Sequence, residues 1–179
     1  KRVMIMDWLT IKEFIKDSVK FILIVFILIF LMVYVVSVTQ VVGDSMDPTL
    51  KNQDVLILNK AKYRFSDVKR GDVIAFTYED TKYLIKRVIG LPGDHISIID
   101  NKVYINGRYY SEDYLKDVDT PDFDLQDLGY NTVLEGMYFV LGDNRDNSLD
   151  SRKIGLVEEE DIIGEIAIRF WPITRFRLF

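Results

Sequence analysis

Two regimes of hydrophobic patterning divide the chain. Residues Phe21 to Val38 read FILIVFILIFLMVYVVSV, about 18 residues without a charge, and as a helix that run rises roughly 27 Å, close to the hydrocarbon thickness of a bilayer. The alternative is a buried core helix, but such a helix normally carries a polar stripe, and here only Tyr34 and Ser37 break the apolar surface. Val36-Ser37-Val38 lacks the small-x-small pattern with Ala that favours cleavage, so the run reads as a retained signal-anchor. Ahead of it, Trp8, Ile11, Ile15 and Val19 recur at helical spacing. That leader, residues 1–20, is either an interfacial amphipathic segment or a helical extension of the span.

From Val41 onward the pattern shifts to short apolar or alternating runs punctuated by turn residues, which predicts a mostly β domain over 41–179. The strand candidates are Val55 to Leu58, Asp72 to Phe76, Tyr83 to Ile89, His95 to Ile99, Lys102 to Ile105, Met137 to Leu141 and Ile163 to Phe170. Asn106-Gly107, set between Val103-Tyr104-Ile105 and Arg108-Tyr109-Tyr110, is a hairpin signal, because both central residues of such a turn need positive φ. Residues 111–130 differ: Glu112, Asp113, Asp117, Asp119, Asp122, Asp124 and Asp127 stand against Lys116 alone. The stretch lacks the glycine and terminal glutamate of a calcium loop and is expected to be a solvated acidic excursion without chemistry.

Charge and composition narrow the function. Lys1, Arg2, Lys12, Lys16 and Lys20 precede the span and the first basic residue after it is Lys51, which by the positive-inside rule puts the N-terminus in the cytoplasm and the domain outside. A net charge of −5 with no basic cluster in the domain excludes nucleic acid as the main partner. With no cysteine and one histidine, thiolate nucleophiles, disulfides and thiolate metal sites are absent. The sequence carries no signal of oligomeric state.

The remaining catalytic option is a serine with a base. Ser45 sits in the turn Gly43-Asp44-Ser45-Met46-Asp47-Pro48 just past the span, and serine needs a general base within hydrogen-bond reach. A His-based triad also needs a carboxylate to orient the ring, and His95 follows Pro92-Gly93-Asp94 at a turn-to-strand junction that looks exposed. Lys86 lies inside a strand whose alternation groups it with Leu84 and Val88, while Ile85, Arg87 and Ile89 face the other way. Desolvation there would depress its pKa and yield the neutral amine. On periodicity alone, an edge-strand lysine snorkelling to water fits somewhat better. As a bare residue Met46 is more often packing, and Phe170, Trp171, Phe176 and Phe179 are open between core and membrane surface.

Four segments together carry more. Val42-Gly43-Asp44-Ser45-Met46-Asp47-Pro48-Thr49-Leu50, Arg70-Gly71-Asp72-Val73-Ile74, Lys86-Arg87-Val88-Ile89-Gly90-Leu91-Pro92-Gly93-Asp94 and Gly142-Asp143-Asn144-Arg145-Asp146-Asn147-Ser148-Leu149-Asp150-Ser151-Arg152 resemble, in order, the four conserved boxes of type I signal peptidases of the Gram-positive kind. The resemblance implies an antiparallel β catalytic domain behind one membrane helix, in the plasma membrane. It implies removal of signal peptides from secreted preproteins after small-x-small sites, with those peptides and the lipid bilayer as partners and no metal or organic cofactor. Ser45 would be the nucleophile and Lys86 the general base. Ser148 would hydrogen-bond and orient the amine, and the ion pairs Arg87–Asp143 and Asp150–Arg152 would support the dyad. The Ser45 backbone N–H would face the oxyanion. Some members add a serine hydroxyl where this chain has Gly43, leaving that donor unassigned.

Ser45 follows Val38 by a stretch of at most about 25 Å, so a nucleophile there stays near the outer membrane surface, where a signal peptide presents its cleavage site. An extended substrate would add a strand to an edge near Ser45. Two rivals are a self-cleaving Ser-Lys protease of the LexA type and a membrane-tethered β domain that binds peptides without cutting them. The first lacks a DNA-binding region here, and intact Ser45, Lys86 and Ser148 disfavour the second.

Overall fold

The computed structural model of the chain describes residues 8–79, 81–115 and 118–179. Lys1 and Arg2 of the charge asymmetry, and Lys116 and Asp117 of the acidic stretch, lie outside the described residues. Two compact units form, Lys1–Val36 and Ser37–Phe179.

In the first unit the residues from Trp8 to Tyr34 form one unbroken helix, α1 (Trp8–Tyr34), whose Thr10–Tyr34 portion is long and apolar enough to cross a bilayer. The leader positions Trp8, Ile11, Ile15 and Val19 therefore continue the helix of the apolar run. The helix ends at Tyr34, short of the expected Val38, because the β-branched residues Val36, Val38 and Thr39 enter a strand, β1 (Val36–Gln40), that finds its backbone partners in a sheet.

The second unit is antiparallel β. Its strands are β2 (Val55–Asn59), β3 (Val73–Tyr78), β4 (Lys82–Gly90), β5 (Ile96–Ile99), β6 (Lys102–Ile105), β7 (Arg108–Tyr109), β8 (Phe123–Asp124), β9 (Met137–Leu141), β10 (Val157–Glu158), β11 (Ile162–Trp171) and β12 (Arg177–Leu178). One sheet runs β1-β2-β11-β3-β4-β9-β10 with β12 added to β11, and a second runs β7-β6-β5-β8. The seven strand candidates are all observed, with ends shifted by a residue or two. Alternation made them legible: β2 buries Leu56 and Leu58 and leaves Val55, Ile57 and Asn59 partly exposed. The β6–β7 turn has Asn106 at φ 53° and Gly107 at φ 74°, the left-handed pair that its Asn-Gly signal requires.

The acidic stretch leaves Asp113, Asp119, Asp122 and Asp127 exposed and is anchored at its apolar positions. Phe123 pairs with Ile98 through β8, Leu125 is fully buried in a core with Ile96, Ile98 and Phe139, and Thr120 is buried as well. Glu112 departs from its acidic neighbours, because its carboxylate has a buried cationic partner, Arg145.

Candidate active site

Strand β4 positions the site by changing its surroundings midway. It pairs with β3 from Lys82 to Arg87 and with β9 from Arg87 to Gly90, so Lys82 to Lys86 has β3 as its one strand partner, Lys86 opposite Ile74. Lys86 is thus the last residue before the strand becomes internal. Its side chain is only 1 % exposed, so the snorkelling alternative does not hold. Nζ lies 2.7 Å from Ser45 Oγ and donates to Ile85 O at 2.9 Å.

Burial pushes the Lys86 amine down from 10.5 to about 8, against the opposing pull of the Asp150 and Asp143 carboxylates. Those two carboxylates are engaged elsewhere. Asp143 accepts from Arg87 Nε at 2.9 Å and from its Nη2 at 2.7 Å, and Arg87 also donates to Gly71 O. Burial works against the Arg87 charge, but Asp143 outweighs it and raises the guanidinium pKa. Asp150 accepts from Arg152 Nε and Nη2, each at 2.9 Å, and from the Gly142 N–H at 3.0 Å. Burial alone would lift the Asp150 pKa; Arg152 and the Gly142 N–H hold it below the usual carboxylate range.

Ser45 occupies a turn closed by Asp47 N–H to Asp44 O and Leu50 N–H to Met46 O. The turn leans on the loop of Gly142 to Arg152. Asn144 N–H donates to Ser45 O at 3.0 Å, and a Cβ added to Gly142 would lie 2.5 Å from that same carbonyl and 2.2 Å from Ser148 Oγ. Only glycine lets the two segments close.

Three expectations need correction or narrowing. Ser148 makes no hydrogen bond to Lys86, whose Nζ is taken by Ser45 and Ile85. Its buried hydroxyl lies against Gly142 and helps hold the Asp150 pKa down. Gly43 N–H donates to Asn52 Oδ1 at 3.2 Å; at φ +90° the position strains any L side chain, so a donor serine would not suit this backbone. His95 does have a carboxylate, Asp124 at 3.4 Å, but it stands at the start of β5 with Asn131 O as its other partner, and neither Ser45 nor Lys86 is among its contacts.

Sequence reasoning missed a second tier of residues. Arg145, 2 % exposed, donates to Gly142 O at 3.0 Å and is paired through both terminal nitrogens with Glu112. Tyr114 bonds Glu112 and lays its ring 3.8 Å from the Arg87 guanidinium. Arg145 was within the fourth box and could have been flagged there, whereas nothing local marks Glu112 or Tyr114.

A cleft of about 680 Å³ opens at the dyad, lined among others by Gln40, Val41, Met46, Tyr83 and Ile85. Met46 is 2 % exposed and belongs to the core as well as to this wall. The aromatic residues Phe170, Trp171 and Phe176 are half exposed, and Phe179 packs against the core of Val41, Met46 and Leu56. Among the described residues, no group of His, Cys, Asp and Glu is arranged to hold a metal ion. The arrangement can deprotonate a hydroxyl at the mouth of an open, mainly apolar groove.

Comparison with known proteins agrees with the geometry. A family model described as signal peptidase, peptidase S26, matches residues 12–171. Signal peptidase I P of Bacillus subtilis subsp. natto is 41% identical over 174 residues, covering 93% of this chain and 94% of its own. Signal peptidase IB of Staphylococcus aureus (strain COL) is 34% identical over 180 residues, covering 93% and 94%. The crystal structure of a signal peptidase I from Enterococcus faecalis V583 superposes with a TM-score of 0.53 at 41% identity, covering 56% of this chain and 97% of that one.

Proposed function

The chain belongs to the type I signal peptidases, membrane-anchored serine endopeptidases that remove signal peptides from preproteins, and from that premise we propose that Ser45 and Lys86 form its catalytic dyad. The observation that carries the assignment is the 2.7 Å approach of Oγ to the Nζ of a lysine that is 1 % exposed. With the amine depressed to about 8, roughly one molecule in ten carries neutral Lys86 at pH 7, against about one in three thousand for an unperturbed lysine.

The neutral Nζ accepts the Ser45 hydroxyl proton as Oγ attacks the scissile carbonyl. The negative charge on the carbonyl oxygen is met by the Ser45 N–H. Collapse breaks the C–N bond, the Lys86 ammonium returns its proton to the leaving amine, and the acyl group stays on Oγ. Water then attacks the ester as Lys86 takes its proton; the bond from the acyl carbon to Oγ breaks, Lys86 returns the proton to Oγ, and the carboxylic acid leaves. The pairs Arg87–Asp143 and Asp150–Arg152 hold the loop and the strand that present these groups.

The substrate binds extended, along the free edge of β4 at Lys82 to Lys86 or along the sheet-terminal strand β1, both of which line the cleft. Apolar walls of this kind suit small side chains before the cut, hence cleavage after small-x-small. The N-terminus is cytoplasmic and the domain faces outward at the plasma membrane, consistent with the basic residues Lys12, Lys16 and Lys20 ahead of the apolar helix. The test is incubation of the full chain, in detergent or lipid, with a labelled preprotein, and mass mapping of the cut. Wild type should cut after small-x-small, and Ser45→Ala and Lys86→Ala should leave the preprotein intact; processing by either variant would overturn the dyad.

A further inference from the structure

With Gly43 N–H committed to Asn52, the burden of meeting the oxyanion falls on the Ser45 N–H, which has no acceptor among the described residues. A lone donor is effective only if it is aimed before the charge develops, and its aim is set by its peptide plane. The Asp44–Ser45 peptide is trans, since the cis bonds are Asp47–Pro48 and Trp171–Pro172. In a planar trans amide the C=O of one residue and the N–H of the next are rigidly opposed, so whatever pins Asp44 O fixes the direction of Ser45 N–H.

Asn144 pins it. Its side-chain Nδ2 donates to Asp44 O at 3.0 Å while its backbone N–H donates to Ser45 O at 3.0 Å, so one residue grips the carbonyls on both sides of the nucleophile. Asn144 is itself anchored. It follows Asp143, fully buried against Arg87, and its own carbonyl accepts from Asn147 N–H at 3.2 Å. The bond at Asp44 O also polarises the amide and strengthens the N–H opposite as a donor.

We propose that Asn144 is a positioning residue that aims the Ser45 backbone N–H at the developing oxyanion. The assignment rests on Ser45 being the nucleophile. An amide side chain is the chemistry required, because the target is a carbonyl oxygen and the side chain must donate; a carboxylate of the same shape would repel Asp44 O. Asn144 is only half-buried, so its replacement removes the grip without opening the core.

The test uses the full chain in detergent with Asn144→Ala, Asn144→Asp and Ser45→Ala. Three quantities are read: kcat and KM on a labelled preprotein, inhibition by a small-x-small peptide aldehyde that forms an oxyanion on the serine, and binding of a peptide with a non-cleavable bond. Both Asn144 variants should lower kcat about 10- to 100-fold with KM within twofold. Aldehyde affinity should weaken by the same factor, while the non-cleavable peptide binds as before and the inflection of rate against pH stays put. A general structural role would instead weaken ground-state binding or move the inflection, and either result overturns the proposal, as does kcat within threefold of wild type. If Ser45→Ala retains activity, the dyad reading falls first. If Ser45→Ala is inert while the Asn144 variants work at the wild-type rate, the dyad stands and the positioning role of Asn144 is lost.

Discussion

Replacing Lys86 by Met removes the charge and keeps an unbranched side chain of similar length, so it separates what the lysine does for catalysis from what it costs the fold. In the folded chain the amine titrates near 8 rather than 10.5, burial being the dominant cause. The unfolded chain therefore holds a proton up to about pH 10.5 that the folded chain releases at about pH 8, and between those values stability rises with pH. A gap of roughly 2.5 pH units at about 1.36 kcal/mol each amounts to roughly 3.4 kcal/mol. Below pH 8 the fold carries that full cost of a buried ammonium, and near pH 10.5 it is relieved of most of it. Lys86→Met has no proton to lose. Its stability relative to wild type should therefore be about 3 kcal/mol more favourable at pH 7 than at pH 10.5. The assay is urea unfolding of the full chain in detergent, followed by circular dichroism at half-unit steps of pH. Tyrosines and other lysines titrate in both proteins, so they cancel in the difference. Hydrolysis by the variant should be undetectable throughout, while wild-type kcat/KM climbs through an inflection near pH 8. Stability curves that run parallel from pH 7 to 10.5, or a wild-type rate that inflects only near 10.5, would refute the reasoning.

Two further outcomes follow from the loop that faces the dyad. Gly142→Ala puts a methyl group 2.5 Å from Ser45 O and 2.2 Å from Ser148 Oγ, forcing the nucleophile turn away; preprotein cleavage should fall at least tenfold with a stability loss of about 1–3 kcal/mol in urea unfolding, and wild-type activity would contradict the close packing. Glu112→Gln removes the counter-charge of buried Arg145, so unfolding in urea should show a loss of about 3 kcal/mol, whereas a loss below 0.5 would return the acidic stretch to the status of a solvated surface.

The catalytic half of the molecule was legible because its signals are local. Alternating and short apolar runs marked seven strands, and Asn106-Gly107 marked the turn into β7. β1 is hidden at the end of the apolar run, and β8, β10 and β12 are too short for periodicity; β8 exists through a partner well back along the chain, Phe123 pairing with Ile98. Lys86 was ambiguous for a related reason. Alternation assigns it a face, but whether that face is wet depends on where β9 stops alongside β4 and on a turn some forty residues earlier. Glu112 stayed hidden among acidic neighbours because only its pairing with Arg145 sets it apart.

Adjacent residues of β4 show how the site loosens the proton on one cation and tightens it on the next. Lys86 and Arg87 are both buried, at 1 % and 6 % exposure, and desolvation acts on both in the same direction. Their titrations part in opposite senses because Arg87 has Asp143 at hydrogen-bond distance along two nitrogens, while Lys86 has only a hydroxyl and a carbonyl. The carboxylates that would otherwise hold a proton on Lys86 are the two already committed, Asp143 to Arg87 and Asp150 to Arg152. A planar guanidinium takes both oxygens of a carboxylate at once and cannot give up its proton. Both carboxylates still pull the Lys86 pKa upward, but burial outweighs them. The two ion pairs thus do more than brace the loop: with Asp143 bonded to Arg87 and Asp150 to Arg152, Lys86 has no carboxylate partner of its own, and burial sets the direction in which its pKa moves.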